Sequence, residues 1–332
     1  MNHQVKPPLQ PEIFEPNTVS AGLCPVCGCD HFVEWLKAPD RFHGRHKLYS
    51  LIRCPSCSLV RLQDPPPPSE IAEHYGARYD GAISSPGDDP GHWRERREAL
   101  LRVKPGGALL DLGCSSGGFL AAMKGPSWKL FGVEVSEPVA KRAQDRCGAE
   151  VFVGAISDAP FPPDSFDAIT CFHVFEHLYE PREVLARISE WLKPGGVFYT
   201  MMPNIDSAGA RIFGSYWYAL ELPRHLYHFS PASLRALADR VGLEVVSLTT
   251  NREVFIEQSM RYVFDAICRK AGYSRPPLAD ARTPSIAWRV IRKAFRLTIL
   301  PCLTWLASFA GDGESIHAIL RKDLDGSLDV CL

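Results

Sequence analysis

The chain has 332 residues, with 37 Lys and Arg against 38 Asp and Glu, and a formal net charge of −1 at pH 7. This length allows one large domain with additional smaller units. A balanced charge provides no global attraction for nucleic acid or anionic membranes, so we expect no nucleic-acid partner unless a local basic patch supplies one. The polar, proline-containing segment Met1 to Pro16 lacks the basic-then-apolar order of a secretory signal, which predicts a cytoplasmic location.

The first segment, residues 1–64, contains two Cys-Pro-x-Cys pairs, Cys24 with Cys27 and Cys54 with Cys57. Two thiolates placed two residues apart on a turn can reach one tetrahedral zinc ion, and two such pairs complete its coordination. A redox pair would need only one such motif, usually at the start of a helix. We therefore predict a zinc ribbon whose Zn²⁺ is structural, since four protein ligands leave no open position for catalysis.

Residues 65–104 are predicted to form a linker and a lid helix. Four consecutive prolines at 65–68 form a stiff extended spacer. Ser69 is a candidate N-cap for a short helix that runs to Tyr79. Tyr75 and Tyr79 would either close over a pocket or pack as a pair on one face of this helix.

Residues 105–250 alternate short apolar runs with amphipathic stretches. This alternation is typical of an α/β domain with a mostly parallel sheet that is covered by helices on both faces. This alternation is absent from residues 251–313, which we predict to be a helical insertion. Residues 314–332 would then supply the last, antiparallel strand and the C-terminus.

A glycine-rich segment, Asp111-Leu-Gly113-Cys-Ser115-Ser-Gly117, follows the first apolar run of this domain. Glycines at a strand-to-helix turn let a nucleotide-like ligand lie against bare backbone at the carboxyl end of the sheet. Glu134 follows about 20 residues later, at the end of the next apolar run, where a carboxylate can accept both hydroxyls of a ribose. The two features together predict a cofactor site.

The glycine-rich segment resembles the first motif of class I S-adenosylmethionine-dependent methyltransferases, Asp-x-Gly-x-Gly-x-Gly. Asp111, Gly113 and Gly117 match this motif, and Ser115 stands in place of the middle glycine. The resemblance implies a Rossmann-like, doubly wound, mostly parallel sheet of seven strands with S-adenosyl-L-methionine as cofactor. It also implies that Asp111 helps to position the methionine part of the cofactor.

Further stretches extend this resemblance, among them Phe161-Pro-Pro-Asp-Ser-Phe166-Asp167-Ala-Ile before the fourth strand and Leu192-Lys-Pro194-Gly195-Gly196 before the fifth. Phe172-His173-Val-Phe-Glu176-His177 is similar to the segment after the fourth strand, so Phe172 and His173 are expected at the cofactor, and His177 is expected to brace the fold. In relatives the adenine lies near the end of the third strand, often beside an acid. Ala155 occupies that position here, which leaves the backbone of Ile156, or the side chains of Ser157 or Asp158, as candidate contacts.

Aromatic, basic and titratable residues concentrate between Tyr216 and Ser230, a loop expected at the ligand end of the sheet. Methyl transfer is an in-line attack, so positioning contributes up to roughly 7 to 11 kcal/mol, and a base is needed only for an acceptor of high pKa. His225 is the candidate general base, with Arg224 or His228 as substrate anchors. Alternatively, these residues only attach the loop to the sheet.

Residues 285–310 combine a basic stripe with a run that is apolar from 297 to 310 apart from two Thr and a Ser. The run is too short to span a bilayer. A helix of this kind can lie on an anionic surface, which would place the protein peripherally at the inner membrane. The alternative is a core or dimer-interface helix with a solvated basic face, and the oligomeric state stays open.

The order of ribbon, methyltransferase domain and the stretch Pro223-Arg-His-Leu-Tyr-His-Phe-Ser230 resembles bacterial methyltransferases of sugar and cell-surface glycan pathways. This resemblance implies a small-molecule or glycan-type acceptor, including sugar or lipid-linked ones, methylated on oxygen or carbon. One alternative is an RNA methyltransferase whose ribbon binds nucleic acid. The other is a non-catalytic scaffold, for which Ser115 and Ala155 would be early signs of lost function.

Overall fold

The computed structural model describes residues 18–19, 22–75, 90–251, 253, 255–270, 272, 293–294, 298 and 313–324. The strands are β1 (Thr18–Val19), β2 (Phe32–Pro39), β3 (Leu48–Arg53), β4 (Val60–Leu62), β5 (Gly107–Leu112), β6 (Trp128–Glu134), β7 (Glu150–Val153), β8 (Phe166–Phe172), β9 (Leu192–Pro203), β10 (Tyr227–His228), β11 (Leu243–Asn251) and β12 (Ser315–Lys322). The helices are α1 (Pro90–Val103), α2 (Gly118–Met123), α3 (Glu137–Cys147), α4 (Pro181–Trp191), α5 (Ala208–Phe213), α6 (Pro231–Arg240) and α7 (Phe255–Lys270).

The larger sheet has seven strands in the order β11-β12-β9-β8-β5-β6-β7. Strands β5 to β9 are parallel, and β12 lies antiparallel between β9 and β11. This confirms the predicted α/β class, the seven-stranded Rossmann-like sheet and the late antiparallel strand. Strand β5 pairs with β6 on one side and with β8 on the other, so the connections from β5 run toward opposite edges of the sheet. Open α/β sheets bind ligands at such a topological switch point.

Local sequence explains the helices that cover this sheet. Helix α3 begins after Ser136 with a proline in its first turn and ends at Gly148, whose φ of 73° is left-handed. Its buried residues Val139, Ala140 and Ala143 fall on one face, which packs against the sheet. Strands β5 and β8 are buried almost throughout, as expected for central parallel strands.

A second sheet of five strands has the order β1-β2-β3-β4-β10. Its first four strands come from the predicted ribbon, whereas β10 belongs to the loop that precedes α6. Strand β10 pairs antiparallel with β4, and the Leu62 amide donates to the Leu226 carbonyl over 3.0 Å. The predicted boundary at residue 64 therefore separates two segments that share one sheet.

The linker differs from its prediction. A 3-10 turn, Ile71–His74, begins after Glu70 rather than Ser69, and helix α1 (Pro90–Val103), which the sequence did not predict, occupies the end of this segment. Tyr79 lies outside the described residues.

Helix α7 lies within the predicted helical insertion. The candidate membrane segment 285–310 lies outside the described residues, except for 293–294 and 298. Within the part of the chain that the structure describes, no helix combines the length and hydrophobicity needed to cross a bilayer.

Candidate active site

The glycine loop forms the turn between β5 and α2. Gly113 and Gly117 have φ of +68° and +74°, and Ser115 also has a positive φ of 49°. A Cβ on Gly113 would lie 2.5 Å from the Val174 side chain, and a Cβ on Gly117 would lie 3.0 Å from Ala143. Only glycine combines a positive φ with the absence of a Cβ at these two positions. The turn therefore leaves its backbone exposed toward the carboxyl end of β5.

Glu134 ends β6 beside this loop. Its side chain is buried, and its two carboxylate oxygens accept the backbone N–H groups of Ser115 (3.1 Å) and Ser136 (3.0 Å). These two bonds fix the carboxylate next to the glycine loop. The sequence predicted this carboxylate at the end of the strand as the acceptor of the ribose hydroxyls, which stays a prediction.

Asp111 lies in β5, immediately below the loop. Its carboxylate is buried and accepts a hydrogen bond of 2.6 Å from the Thr170 hydroxyl. Burial raises the pKa of Asp111 to about 7, and the nearby Glu134 charge acts in the same direction. This carboxyl group therefore changes its charge near neutral pH.

A cavity of about 630 Å³ opens in front of the loop. Of the predicted cofactor residues, those that line it are Gly113, Ser115, Glu134, Ile156, Phe172 and His173. Asp111 and Gly117 do not line the cavity, and Ser157 is exposed, with its hydroxyl donating a hydrogen bond to Asp158. At the predicted adenine position the cavity wall is formed by Gly154, Ala155 and Ile156.

The same cavity is also lined by Arg224 and His225 from the loop Tyr216 to Ser230. Cofactor-side and acceptor-side candidates, which are distant in sequence, thus share one space. The sequence did not single out two other lining residues, Glu221 and Phe255. Phe255 begins α7, and no local motif marks it.

His225 is buried, and its Nδ1–H donates to the Ala219 carbonyl over 2.8 Å. Burial, reinforced by His177, His228 and Arg224, lowers the pKa of His225 well below its ordinary value. The imidazole is therefore neutral, and because Nδ1 carries the proton, Nε2 keeps its lone pair.

Arg224 is held within the cavity wall. Its guanidinium donates to Glu221 over 2.6 Å and lies 4.4 Å from the ring centroid of Phe42 and 5.8 Å from that of Tyr75. Its backbone carbonyl accepts the Nδ1–H of His177 over 3.0 Å. His177 therefore braces this loop, as expected, while it also lines the cavity.

His228 lies outside the residues that line the cavity, so the structure does not bring it to the position of a substrate anchor. It belongs to β10, opposite Val60 of the ribbon, and is 2% exposed. Burial lowers its pKa to about 3. Three residues after His225 the chain has already entered the second sheet, which explains the different environments of the two histidines.

The four cysteines of the predicted metal site come together. The Sγ atoms of Cys24 and Cys57 are 3.6 Å apart, those of Cys27 and Cys54 are 3.4 Å apart, and all four lie within 4.8 Å of one another. A tetrahedral zinc site with Zn–S bonds of about 2.3 Å separates its sulfurs by roughly 3.8 Å. The four thiols fit such a site, and Cys29 lies outside the group.

The profile of a family described as "Methyltransferase domain" matches residues 88–248. The chain is 32% identical over 169 residues to a ubiquinone biosynthesis O-methyltransferase of Thiobacillus denitrificans, covering 47% of this chain and 71% of that protein. It is 31% identical over 175 residues to the Pseudomonas putida protein of the same name, covering 48% of this chain and 74% of the relative.

Two solved structures share the fold. A chain from the complex between the Haloferax volcanii Trm112 methyltransferase activator and a methyltransferase aligns with a TM-score of 0.50 at 18% identity, covering 76% of this chain and 97% of that one. Phosphoethanolamine N-methyltransferase 2 of Haemonchus contortus aligns with a TM-score of 0.50 at 19% identity, covering 76% of this chain and 60% of that one.

Proposed function

Because the chain belongs to the S-adenosylmethionine-dependent methyltransferases, we propose that it transfers the cofactor's methyl group to a hydroxyl group of a small-molecule acceptor. The observation that carries this proposal is that one cavity is lined both by the glycine loop and by Arg224 and His225. Its volume of about 630 Å³ lies within the range of small-molecule pockets, about 300 to 1,000 Å³.

On the cofactor side, we propose that Glu134 accepts the ribose hydroxyls and Asp111 pairs with the amino group of the methionine part. The backbone at Gly113 and Ser115 would then lie against the cofactor, and Ile156 would contact its adenine. S-adenosylmethionine supplies a sulfonium methyl group, and the residues described here orient it and exclude water.

On the acceptor side, the buried His225 presents an electron pair at Nε2, and Arg224 with Glu221 supplies a polar wall. An oxygen acceptor is supported by the names of the relatives, which are O-methyltransferases. A sugar or glycan acceptor is a narrower proposal, which the similarity around Pro223 to Ser230 supports. We further propose that Cys24, Cys27, Cys54 and Cys57 bind a structural zinc ion.

The test uses S-adenosylmethionine labelled in its methyl group, incubated in parallel with a small-molecule extract, a glycolipid fraction and total RNA. We expect label in the small-molecule or glycolipid fraction. Glu134→Ala should weaken cofactor binding roughly tenfold or more, because it removes charged hydrogen bonds. Glu137→Ala, at an exposed acid in the first turn of α3, is the matched control.

Two results would contradict the proposal. Label in RNA alone would favour the nucleic-acid alternative. Absence of measurable cofactor binding by calorimetry, with no effect of Glu134→Ala, would favour a non-catalytic scaffold.

A further inference from the structure

A second cavity, of about 760 Å³, is lined by α1, by the outer strands β9, β12 and β11 of the larger sheet, and by Glu253 just after β11. We call it the side cavity. No described residue lines both the side cavity and the cavity in front of the glycine loop. The two spaces adjoin at Phe172 of the first cavity, whose ring meets that of Tyr199 in the side cavity edge to face, with 5.0 Å between centroids.

Tyr199 is the first sign that the side cavity has a ligand. Its side chain is 3% exposed and lines the cavity from β9. Its hydroxyl makes no hydrogen bond with another residue that the structure describes. A buried hydroxyl group without a partner is costly, so this one calls for a partner that the cavity can admit.

Further polar groups of the side cavity are available in the same way. Ser247 lies in one row across the sheet with Tyr199, because each of them pairs with Ile319 of β12. The Ser247 hydroxyl and the Glu253 carboxylate are half-buried, and neither makes a hydrogen bond or ion pair with the described part of the chain. The cavity therefore offers hydrogen-bond donors and acceptors side by side.

The charges around the side cavity are of both signs. The guanidinium groups of Arg96 and Arg102 stand against the carboxylates of Glu95, Glu98 and Glu253. An anionic ligand would meet three like charges there, and a cationic ligand would meet two. A neutral molecule rich in hydroxyl groups suits both signs, because each hydroxyl can donate to a carboxylate and accept from a guanidinium.

We propose that the side cavity binds a neutral carbohydrate. Tyr199, Ser247 and Glu253 bond its hydroxyl groups, while Ala99 and Ile319 of the lining contact the apolar C–H faces of the sugar ring. The volume of about 760 Å³ lies within the range of small-molecule sites, about 300 to 1,000 Å³. This inference goes beyond the proposed function and does not depend on which acceptor the protein methylates.

The experiment is saturation-transfer difference NMR of the full chain with the methyl glycosides of glucose, galactose and mannose. The anomeric phosphate of each sugar is the charged counterpart. We expect saturation transfer to the ring protons of at least one methyl glycoside, and weaker binding of the corresponding phosphate. Tyr199→Phe should raise the Kd of that glycoside about three- to tenfold, because it removes one hydrogen bond to the ligand. Glu253→Gln should raise it at least about fivefold, because a neutral group replaces a charged acceptor.

Two variants are matched controls. Tyr49→Phe removes the hydroxyl of another buried tyrosine, 4% exposed, in strand β3 of the ribbon. Glu183→Gln neutralises an exposed acid of α4. Neither residue lines the side cavity, so both variants should keep the sugar affinity of the unaltered protein. The Tm of every variant reports whether the fold is retained.

Three results would overturn the inference. The first is the absence of saturation transfer to all three methyl glycosides with the unaltered protein, which does not depend on any variant. The second is binding of the anomeric phosphates as tight as that of the glycosides. The third is sugar binding that is lost in Glu221→Gln but unchanged in Tyr199→Phe, because it would place the sugar in the cavity of the glycine loop.

Discussion

Lowering the pH from 7.5 to 6.0 should weaken the binding of S-adenosylmethionine, because Asp111 pairs with a cationic amino group only when ionised. With a pKa of about 7, the ionised fraction of Asp111 falls from about three-quarters to about one-tenth over this interval. This ionisation alone would raise the apparent Kd roughly eightfold. The α-amino group of the cofactor, whose ordinary pKa is about 7.7 to 8.0, goes from about two-thirds protonated to almost fully protonated over the same interval, which reduces the expected rise to roughly fivefold to sixfold.

The titration of Asp111 also determines whether the cofactor-free protein becomes more or less stable as the pH falls. Burial raises the pKa of Asp111 from its ordinary 3.8, so between the two values the folded chain holds a proton that the unfolded chain has lost. The cofactor-free protein should thus become more stable as the pH falls from about 7 toward 4, with respect to this group alone. Cofactor affinity and apo stability should respond to pH in opposite directions.

Calorimetric titrations of the cofactor at several pH values test this reasoning, with Asp111→Asn as the matched variant. The variant should bind weakly and with little dependence on pH between 6.0 and 7.5. Thr170→Val removes the hydroxyl that donates to Asp111. The midpoint of the pH dependence of cofactor binding should then move to higher pH, because that hydrogen bond lowers the pKa of the carboxyl group. A pH dependence that persists unchanged in Asp111→Asn would refute the assignment.

Three further substitutions, two of them paired with a control variant, test other parts of the structure. Gly113→Ala should abolish cofactor binding, whereas Gly148→Ala, at a similar positive φ with no atom within 4 Å of its Cβ, should cost only about 1 to 2 kcal/mol of stability in chemical denaturation. Cys57→Ser should release zinc, measured by metal analysis, and lower the Tm by at least about 5 °C, whereas Cys29→Ser should do neither. Leu59→Ala, in the core cluster shared by the ribbon and the methyltransferase domain, should cost about 2 to 5 kcal/mol in a single urea transition. Two separate transitions would contradict a shared core.

The cofactor side was predictable because its signals are local. Gly113 lies at a strand end where the backbone must adopt positive φ, and Glu134 ends the next strand, so each could be placed from its immediate neighbours. Ser157, a candidate adenine contact, does not line the cavity and is exposed. Its position depends on how the turn after β7 is oriented, which the short apolar run before it does not specify.

The acceptor side was less predictable because it depends on contacts between distant segments. His225 and His228 look equivalent in the sequence, yet one lines the cavity and the other is buried against Val60. The two-residue strand β10 carries no periodic signal, so its pairing with the ribbon could not be foreseen. Glu176 and His225, which are distant in sequence, likewise line the same cavity only because of the tertiary structure.

The pairing of β4 with β10 determines which segments of this chain can be exchanged with those of a relative in a chimaera. The ribbon receives its edge strand from residues 227–228, so a graft of residues 18–64 alone onto a relative would leave that edge unmatched. Successful chimaeras should exchange the ribbon and the loop from 222 to 229 as one unit, while the sheet that carries the glycine loop stays with the recipient. Acceptor preference and ribbon sequence should accordingly be transferred together.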